Sequence, residues 1–65
     1  MQVLVNGEAV ATDAGTLNEL CVSLGYADAK VATAVNGAFV AAGDRTATLL
    51  RPADKVEIVA PRPGG

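Results

Sequence analysis

The sequence has no histidine, one cysteine and only two aromatic residues, and each shortage excludes a class of protein. Without histidine, the chain lacks the side chain that most often serves as general acid or base near neutral pH. Cys21 alone can form no intramolecular disulfide, which fits a reducing compartment. The sequence also has no cysteine pair, phosphate-binding glycine loop or metal-ligand cluster. We therefore expect no catalytic residues, no metal and no stably bound cofactor.

Basic residues and long apolar segments are also scarce. Five Lys and Arg residues are scattered among seven acidic residues, and the formal net charge is -2. Phosphate neutralisation needs clustered positive charge, so this composition argues against nucleic-acid binding. No segment approaches the roughly 18 apolar residues that a membrane span needs, and the N-terminus does not resemble a signal peptide. We expect a soluble cytoplasmic protein that is a monomer when free and binds no membrane.

Small aliphatic residues dominate the composition of the chain. Hydrophobic residues make up 51% of the 65 residues, whereas aromatic residues make up 3%. A chain of this size forms one domain and buries only about 60% of its unfolded surface. A core of Val, Leu, Ile and Ala suits a sheet that is covered by one helix.

Two Asn-Gly pairs predict tight turns, because both residue types tolerate the positive φ that such turns require. Asn6-Gly7 separates two alternating segments and predicts a hairpin at the start of the chain. Asn36-Gly37 predicts either a second hairpin or a strand with a tight return. We interpret both pairs as turn residues with no further role.

One amphipathic helix is predicted from about Leu17 to Leu24. Thr16 stands three residues before Glu19, the capping-box spacing, and Gly25 suits the left-handed position after a helix. The apolar residues recur at i, i+3, i+4 and i+7, which places Leu17, Leu20, Cys21 and Leu24 on one side. Cys21 is therefore expected to be a core residue with a raised pKa rather than a nucleophile.

The sequence of the last third of the domain predicts a loop, a turn and a final strand. Residues 41–48 form a loop or short turn, in which Gly43-Asp44-Arg45 is interpreted as solvated turn rather than contact loop. Pro52 suits the second position of a type I turn, and residues 55–59 alternate charged and apolar side chains. The element order predicts an α+β domain over residues 1–60, with a mixed four- to five-stranded sheet packed on one helix in the β-grasp architecture.

Residues 61–65 form a predicted flexible tail that carries the chemistry. The sequence stops at Gly64-Gly65, and the α-carboxylate of Gly65 is ionised at neutral pH. A carboxylate can attack the α-phosphate of ATP when a partner stabilises the developing charge, and a sulfur nucleophile can then give a thiocarboxylate. We expect Gly64 to provide clearance, and Pro63 and Arg62 to thread with it into partner active sites. A glycine pair also arises by chance, but its proline-stiffened position after the final strand favours a functional tail.

The whole chain resembles the thiamine-biosynthesis sulfur carrier (ThiS-like) proteins. The resemblance rests on the ordered set Met1–Gly7, Thr16–Leu20, Ala34–Gly37, Leu50–Val59 and Gly64-Gly65. It implies a ubiquitin-like β-grasp fold. It also implies that an E1-like adenylyltransferase, which consumes ATP, adenylates Gly65. A sulfur-donating desulfurase system would then supply the sulfur of the thiocarboxylate, and thiazole synthase would receive that sulfur.

The chain departs from the family pattern at several positions inside the domain, including Ala53, Thr33 and Ala41-Ala42. Ala53 occupies a position where the family usually has glycine, which suggests a type I turn that does not require glycine. Thr33 replaces a usual aliphatic residue.

Two alternatives stay open. The chain could instead be the small subunit of molybdopterin synthase or another thiocarboxylate carrier. From a different class, it could be a noncovalent β-grasp interaction module whose terminal glycines are incidental. In each case Leu4, Phe39 and Val59 are candidate outward apolar residues for partner docking, although isolated apolar residues are common on protein surfaces.

Overall fold

The computed structural model describes residues 1–27 and 29–60, which form a mixed five-stranded sheet around one α-helix. In chain order the elements are β1 (Gln2–Val5), β2 (Glu8–Ala11), α1 (Leu17–Ser23), β3 (Ala32–Val35), β4 (Ala38–Val40), a 3-10 helix (Ala42–Ala47) and β5 (Lys55–Val59). The strand order is β2-β1-β5-β3-β4, with β1 and β5 parallel and the other neighbours antiparallel. This arrangement confirms the predicted β-grasp fold. The predicted tail, residues 61–65, lies outside the described residues.

Both Asn-Gly pairs form hairpin turns. Asn6 and Gly7 have φ of 50° and 85°, and Asn36 and Gly37 have φ of 50° and 83°. Positive φ at both central residues matches the right-handed twist of the flanking strands. The second pair therefore closes a true hairpin between β3 and β4, which resolves the alternative that the sequence left open.

Helix α1 begins as the capping-box spacing predicts and ends one residue earlier than expected. The Thr16 hydroxyl accepts a hydrogen bond from the Glu19 backbone N–H at 3.1 Å and donates one to the Glu19 carboxylate at 3.3 Å. Gly25 follows with φ of 90°. Leu24 is the C-cap residue rather than part of the helix, and its side chain is 37% exposed. Of the predicted apolar side, Leu17, Leu20 and Cys21 are buried, whereas Leu24 is only partly covered.

The core lies between α1 and the inner face of the sheet. Its buried apolar residues are Val3, Ala14, Leu17, Leu20, Cys21, Leu50, Val56 and Ile58. Fully burying an aliphatic side chain of this kind contributes about 1.5–3 kcal/mol. The inward positions of β5 are Val56 and Ile58, as the alternation of that strand predicts.

The turn before β5 differs from the predicted type I turn. Ala53 has φ of 68°, and the Asp54 N–H donates to the Arg51 carbonyl at 3.1 Å. With Pro52 at the second position and positive φ at the third, residues 51–54 form a type II turn. Ala53 thus occupies a left-handed conformation that favours glycine.

The 3-10 helix is attached to the sheet through Arg45. Its Nε donates to the Thr33 hydroxyl at 3.0 Å, and a terminal nitrogen donates to the Val31 carbonyl at 2.6 Å. Thr33 is 2% exposed and in turn donates to the Val40 carbonyl at 2.8 Å. The unusual buried threonine is therefore fully hydrogen-bonded, and the interpretation of Gly43-Asp44-Arg45 as solvated turn is wrong for Arg45.

Within residues 1–27 and 29–60, no helix is long and apolar enough to cross a membrane.

Candidate functional site

Strand β5 is the structural support of the predicted reactive segment. It lies in the middle of the sheet, between the parallel neighbour β1 and the antiparallel neighbour β3. Only Ala60 separates its last residue, Val59, from the predicted tail. The predicted tail residues Arg62, Pro63, Gly64 and Gly65 lie outside the described part of the chain, so their roles stay predictions.

The Asn6 side chain binds the end of β5. Its Nδ2 donates to the Ile58 carbonyl at 3.0 Å, and its Oδ1 accepts from the Ile58 N–H at 2.9 Å. One carboxamide thus satisfies both backbone groups of a residue 52 positions later in the chain. The interpretation of the first Asn-Gly pair as turn residues alone is therefore wrong.

The Asn36 side chain binds the start of β5 in a similar way. Its Oδ1 accepts from the Lys55 N–H at 2.9 Å, and its Nδ2 donates to the Asp54 carboxylate at 3.0 Å. The Arg51 N–H also donates to that carboxylate, at 2.8 Å. Hydrogen bonds from the Asn36 amide and, next, from the Arg51 backbone hold the pKa of Asp54 below its usual value. The second Asn-Gly pair thus also has a role beyond its turn.

The outer face of the sheet, opposite α1, carries the three predicted docking residues in two groups. Phe39 pairs with Ala34 on β3, and Val59 pairs with Ala32 on the same strand. Directly paired residues share a face, and β4 lies two strand spacings, about 10 Å, from β5. Phe39 is 73% exposed and Val59 is 60% exposed. These four residues form one apolar area, which we call the Phe39 patch.

Leu4 lies apart from the Phe39 patch. It pairs with Lys55 on β5 and with Ala9 on β2, and it is only partly exposed. The charged side chains of Lys55 and Glu57 occupy the outward positions of β5 between Leu4 and the patch. The structure therefore brings Phe39 and Val59 together and leaves Leu4 on the other side of a charged strip.

Cys21 is a core residue, as predicted. It is 3% exposed, and burial raises the pKa of its thiol, with Arg45 opposing the shift in part. A thiol of this kind is a poor nucleophile at neutral pH. Among the described residues, no three His, Cys, Asp or Glu side chains lie close enough together to hold a metal ion.

Sequence reasoning missed the two asparagine contacts with β5 and the contact of Arg45 with Thr33. Nothing local to Asn6 indicates a partner 52 residues away. The one available signal was Thr33 itself, because a threonine at an aliphatic position needs a buried hydrogen-bond partner.

Comparison with known proteins gives the family. Residues 1–65 match the model of the ThiS family. The crystal structure of the thiamine biosynthesis protein ThiS from Geobacter metallireducens is 33% identical in sequence, with a TM-score of 0.79 and 100% of each chain covered. No curated protein matches the chain. Because the family model spans the full length and the similar structure has the same fold at this identity, the chain belongs to the ThiS family.

Proposed function

We propose that the protein is a sulfur carrier for thiamine biosynthesis and that the Gly65 carboxylate carries the sulfur. The observation that supports this proposal best is the family match over residues 1–65, which includes the Gly64-Gly65 ending. The similar structure from Geobacter metallireducens is named as a thiamine biosynthesis protein, which favours this role over that of a molybdopterin synthase subunit.

The proposed chemistry has two steps, both on the terminal carboxylate. First, a carboxylate oxygen of Gly65 attacks the α-phosphorus of ATP in an E1-like adenylyltransferase, and pyrophosphate leaves. Second, hydrosulfide, which a thiol reductant releases from the persulfide of a desulfurase, attacks the acyl carbon; the bond from that carbon to the phosphate oxygen breaks, and AMP leaves as the thiocarboxylate forms. The thiocarboxylate then gives its sulfur to thiazole synthase. ATP is thus a substrate of the partner enzyme, and this chain supplies the acyl group.

The folded domain serves as the recognition element in this proposal. The Phe39 patch lies on the same face of the sheet as the last residue of β5, Val59. A partner that covers the patch would therefore hold the chain close to the point where the tail begins. Partly exposed Leu4, across Lys55 and Glu57, would lie at the margin of such an interface, where charged residues are common.

The decisive experiment follows the mass of the intact protein. The protein is incubated with ATP, a sulfur source and its adenylyltransferase, and we expect one terminal oxygen to be replaced by sulfur. Deletion of Gly65 should abolish the modification and leave the circular dichroism spectrum unchanged, because the described core involves no residue beyond 60. An unmodified wild-type protein, with an enzyme that is active on another carrier, would refute the proposed function.

The docking surface is tested with two substitutions at equally exposed sites. Phe39 is 73% exposed within the patch, whereas Leu49 is 71% exposed beside Thr16, away from the outer face. We expect Phe39→Asp to raise the KM for adenylation about tenfold or more, since losing a central apolar contact has this effect at interfaces. Leu49→Asp is the matched control and should leave KM unchanged. Equal effects of the two substitutions would show that the patch is not the docking surface.

A further inference from the structure

The end of β5 is held by the Asn6 side chain where the backbone ladder with β1 has stopped. That ladder pairs Leu4 with Lys55 and Val5 with Val56, and its last bond runs from the Asn6 N–H to the Val56 carbonyl at 2.9 Å. The chain then turns back at Gly7 into β2. The next residue of β5 whose backbone groups face the β1 side is Ile58. The Asn6 carboxamide binds both its N–H and its carbonyl. Asn6 thus acts as one further rung of the parallel ladder.

The opposite side of β5 is held by β3 up to the last residue of the strand. Thr33 pairs with Ile58, and Ala32 pairs with Val59. The last two residues of β5 are therefore fixed from both sides, one side by a strand and the other by a single side chain. If the carboxamide were removed, only β3 would restrain this end of the strand.

We propose that Asn6 is a positioning residue, which fixes the last residues of β5 and therefore the point from which the chain continues toward Gly65. The inference rests on the proposed function, because it concerns the delivery of the Gly65 carboxylate to the adenylation site. In this role Asn6 acts through Ile58, which it binds, and Val59, which follows it.

The length of the tail explains why its origin matters. Five residues span at most about 17 Å when fully extended, so the point and direction of departure limit where the carboxylate can reach. Release of Ile58 and Val59 would add residues that must be ordered in each encounter with the enzyme. Misplacement of a reacting group by about 1 Å can reduce a rate about 100-fold.

The chain provides its own control for this inference. Asn6 and Asn36 have the same φ, each precedes a glycine, and each binds β5 through its carboxamide. They differ in place, because Asn6 holds the end of the strand and Asn36 holds its start. Glycine accepts φ of 50° without strain, so Asn6→Gly and Asn36→Gly remove the carboxamides and leave both turns intact.

The first measurement, amide hydrogen exchange in the free protein, does not depend on function. We expect Asn6→Gly to speed exchange of the Val59 amide about tenfold and to leave the Val56 amide little changed, because opening would be confined to the end of the strand. Asn36→Gly should not affect Val59 selectively. Equal exchange of Val59 in the two variants would refute the positioning role.

The second measurement is ATP–pyrophosphate exchange with the adenylyltransferase, at a temperature where all variants are folded. We expect Asn6→Gly to lower kcat about tenfold with KM within about twofold, since the docking face is intact while the carboxylate is delivered less well. Asn36→Gly should leave both constants within about twofold of the wild type. If the two variants behave alike, the inference is wrong, although the carrier function stands. If the wild type itself gives no exchange, the proposed function is wrong.

A second substitution covers the case in which Asn6→Gly does not fold. Asn6→Asp tolerates positive φ and keeps an acceptor for the Ile58 N–H, but it replaces the donor to the Ile58 carbonyl by a charged oxygen. We expect the kcat of Asn6→Asp to lie between those of the wild type and Asn6→Gly. If only Asn6→Asp folds, its kcat should still be lower than that of the wild type. A wild-type kcat in Asn6→Asp would refute the need for the complete pair of hydrogen bonds.

Discussion

Substitution of Ala53 by glycine is expected to stabilise the protein, which is unusual for a change that removes a methyl group from a turn. Ala53 has φ of 68°, and a residue with a Cβ in the left-handed region costs about 1–2 kcal/mol relative to its usual conformations. Glycine avoids this cost but loses about 0.5–1 kcal/mol through the greater freedom of the unfolded chain. Taking the middle of each range, we predict that Ala53→Gly raises the free energy of unfolding by about 0.75 kcal/mol.

The contacts of the turn do not change in this substitution. The Ala53 N–H donates to the Gln2 carbonyl at 2.8 Å, and the Asp54 N–H donates to the Arg51 carbonyl at 3.1 Å. Both are backbone bonds, and the side chain of Ala53 is exposed. The substitution therefore tests the backbone conformation alone, and for a domain of this size it should raise Tm by roughly 2–8 °C.

Ala41→Gly is the matched control. Ala41 is also an exposed alanine outside the helices and strands, but its φ is -66°. Here glycine brings only the cost in the unfolded state, so stability should fall by about 0.5–1 kcal/mol. Urea unfolding monitored by circular dichroism measures both variants, and an unchanged m-value shows that the unfolded states are comparable. If Ala53→Gly loses stability as Ala41→Gly does, the left-handed strain at Ala53 is refuted.

Two further predictions concern polar contacts. Thr33→Val removes the acceptor of the Arg45 Nε–H and should lower the free energy of unfolding by about 1–3 kcal/mol. In a double-mutant cycle with Arg45→Met, the two changes should couple by about 1 kcal/mol. Simple additivity of the two changes would refute the contact. Asp54→Asn tests the lowered pKa of that carboxyl, which is caused by bonds from Asn36 and Arg51. Because the folded pKa lies below the ordinary 3.8, the carboxylate stabilises the fold above about pH 4, and this contribution is lost as pH falls through the folded pKa. Urea unfolding between acid and neutral pH should show the wild type more stable than Asp54→Asn at neutral pH and the difference shrinking in acid; a constant difference would contradict the assignment.

The local elements were predictable because each is specified by residues close together in the chain. The two Asn-Gly pairs indicate tight turns, since few other dipeptides accept positive φ twice. Thr16 and Glu19 indicate a helix start, because a hydroxyl three residues before a free N–H can accept from it. The alternation of residues 55–59 predicted the final strand, which the structure places at Lys55–Val59. The outward position of Val59, a candidate docking residue, followed from the same alternation.

The missed contacts of Arg45, Asn6 and Asn36 share one cause, which is a partner distant in sequence. Arg45 lies in a segment that resembles any solvated turn, and only the fold places Val31 and Thr33 within reach of its guanidinium. This contact depends on where elements meet, and periodicity along one segment does not contain that information. Leu24 is less buried than the rest of the apolar side for a local reason, because it is the C-cap residue beyond the last residue of α1.

The sequence by itself therefore determined the first hairpin, the second tight turn, the helix, the final strand and the family resemblance, all of which are properties of neighbouring residues or of their order. Only the tertiary structure decided that β5 lies between β1 and β3, that Ala53 is left-handed and that Asn6 holds Ile58. The physical reason is that a buried backbone group must find a hydrogen-bond partner wherever the fold offers one. The type II turn lets Ala53 and Asp54 bond to β1, and the carboxamide of Asn6 supplies a partner at the point where β1 itself turns away.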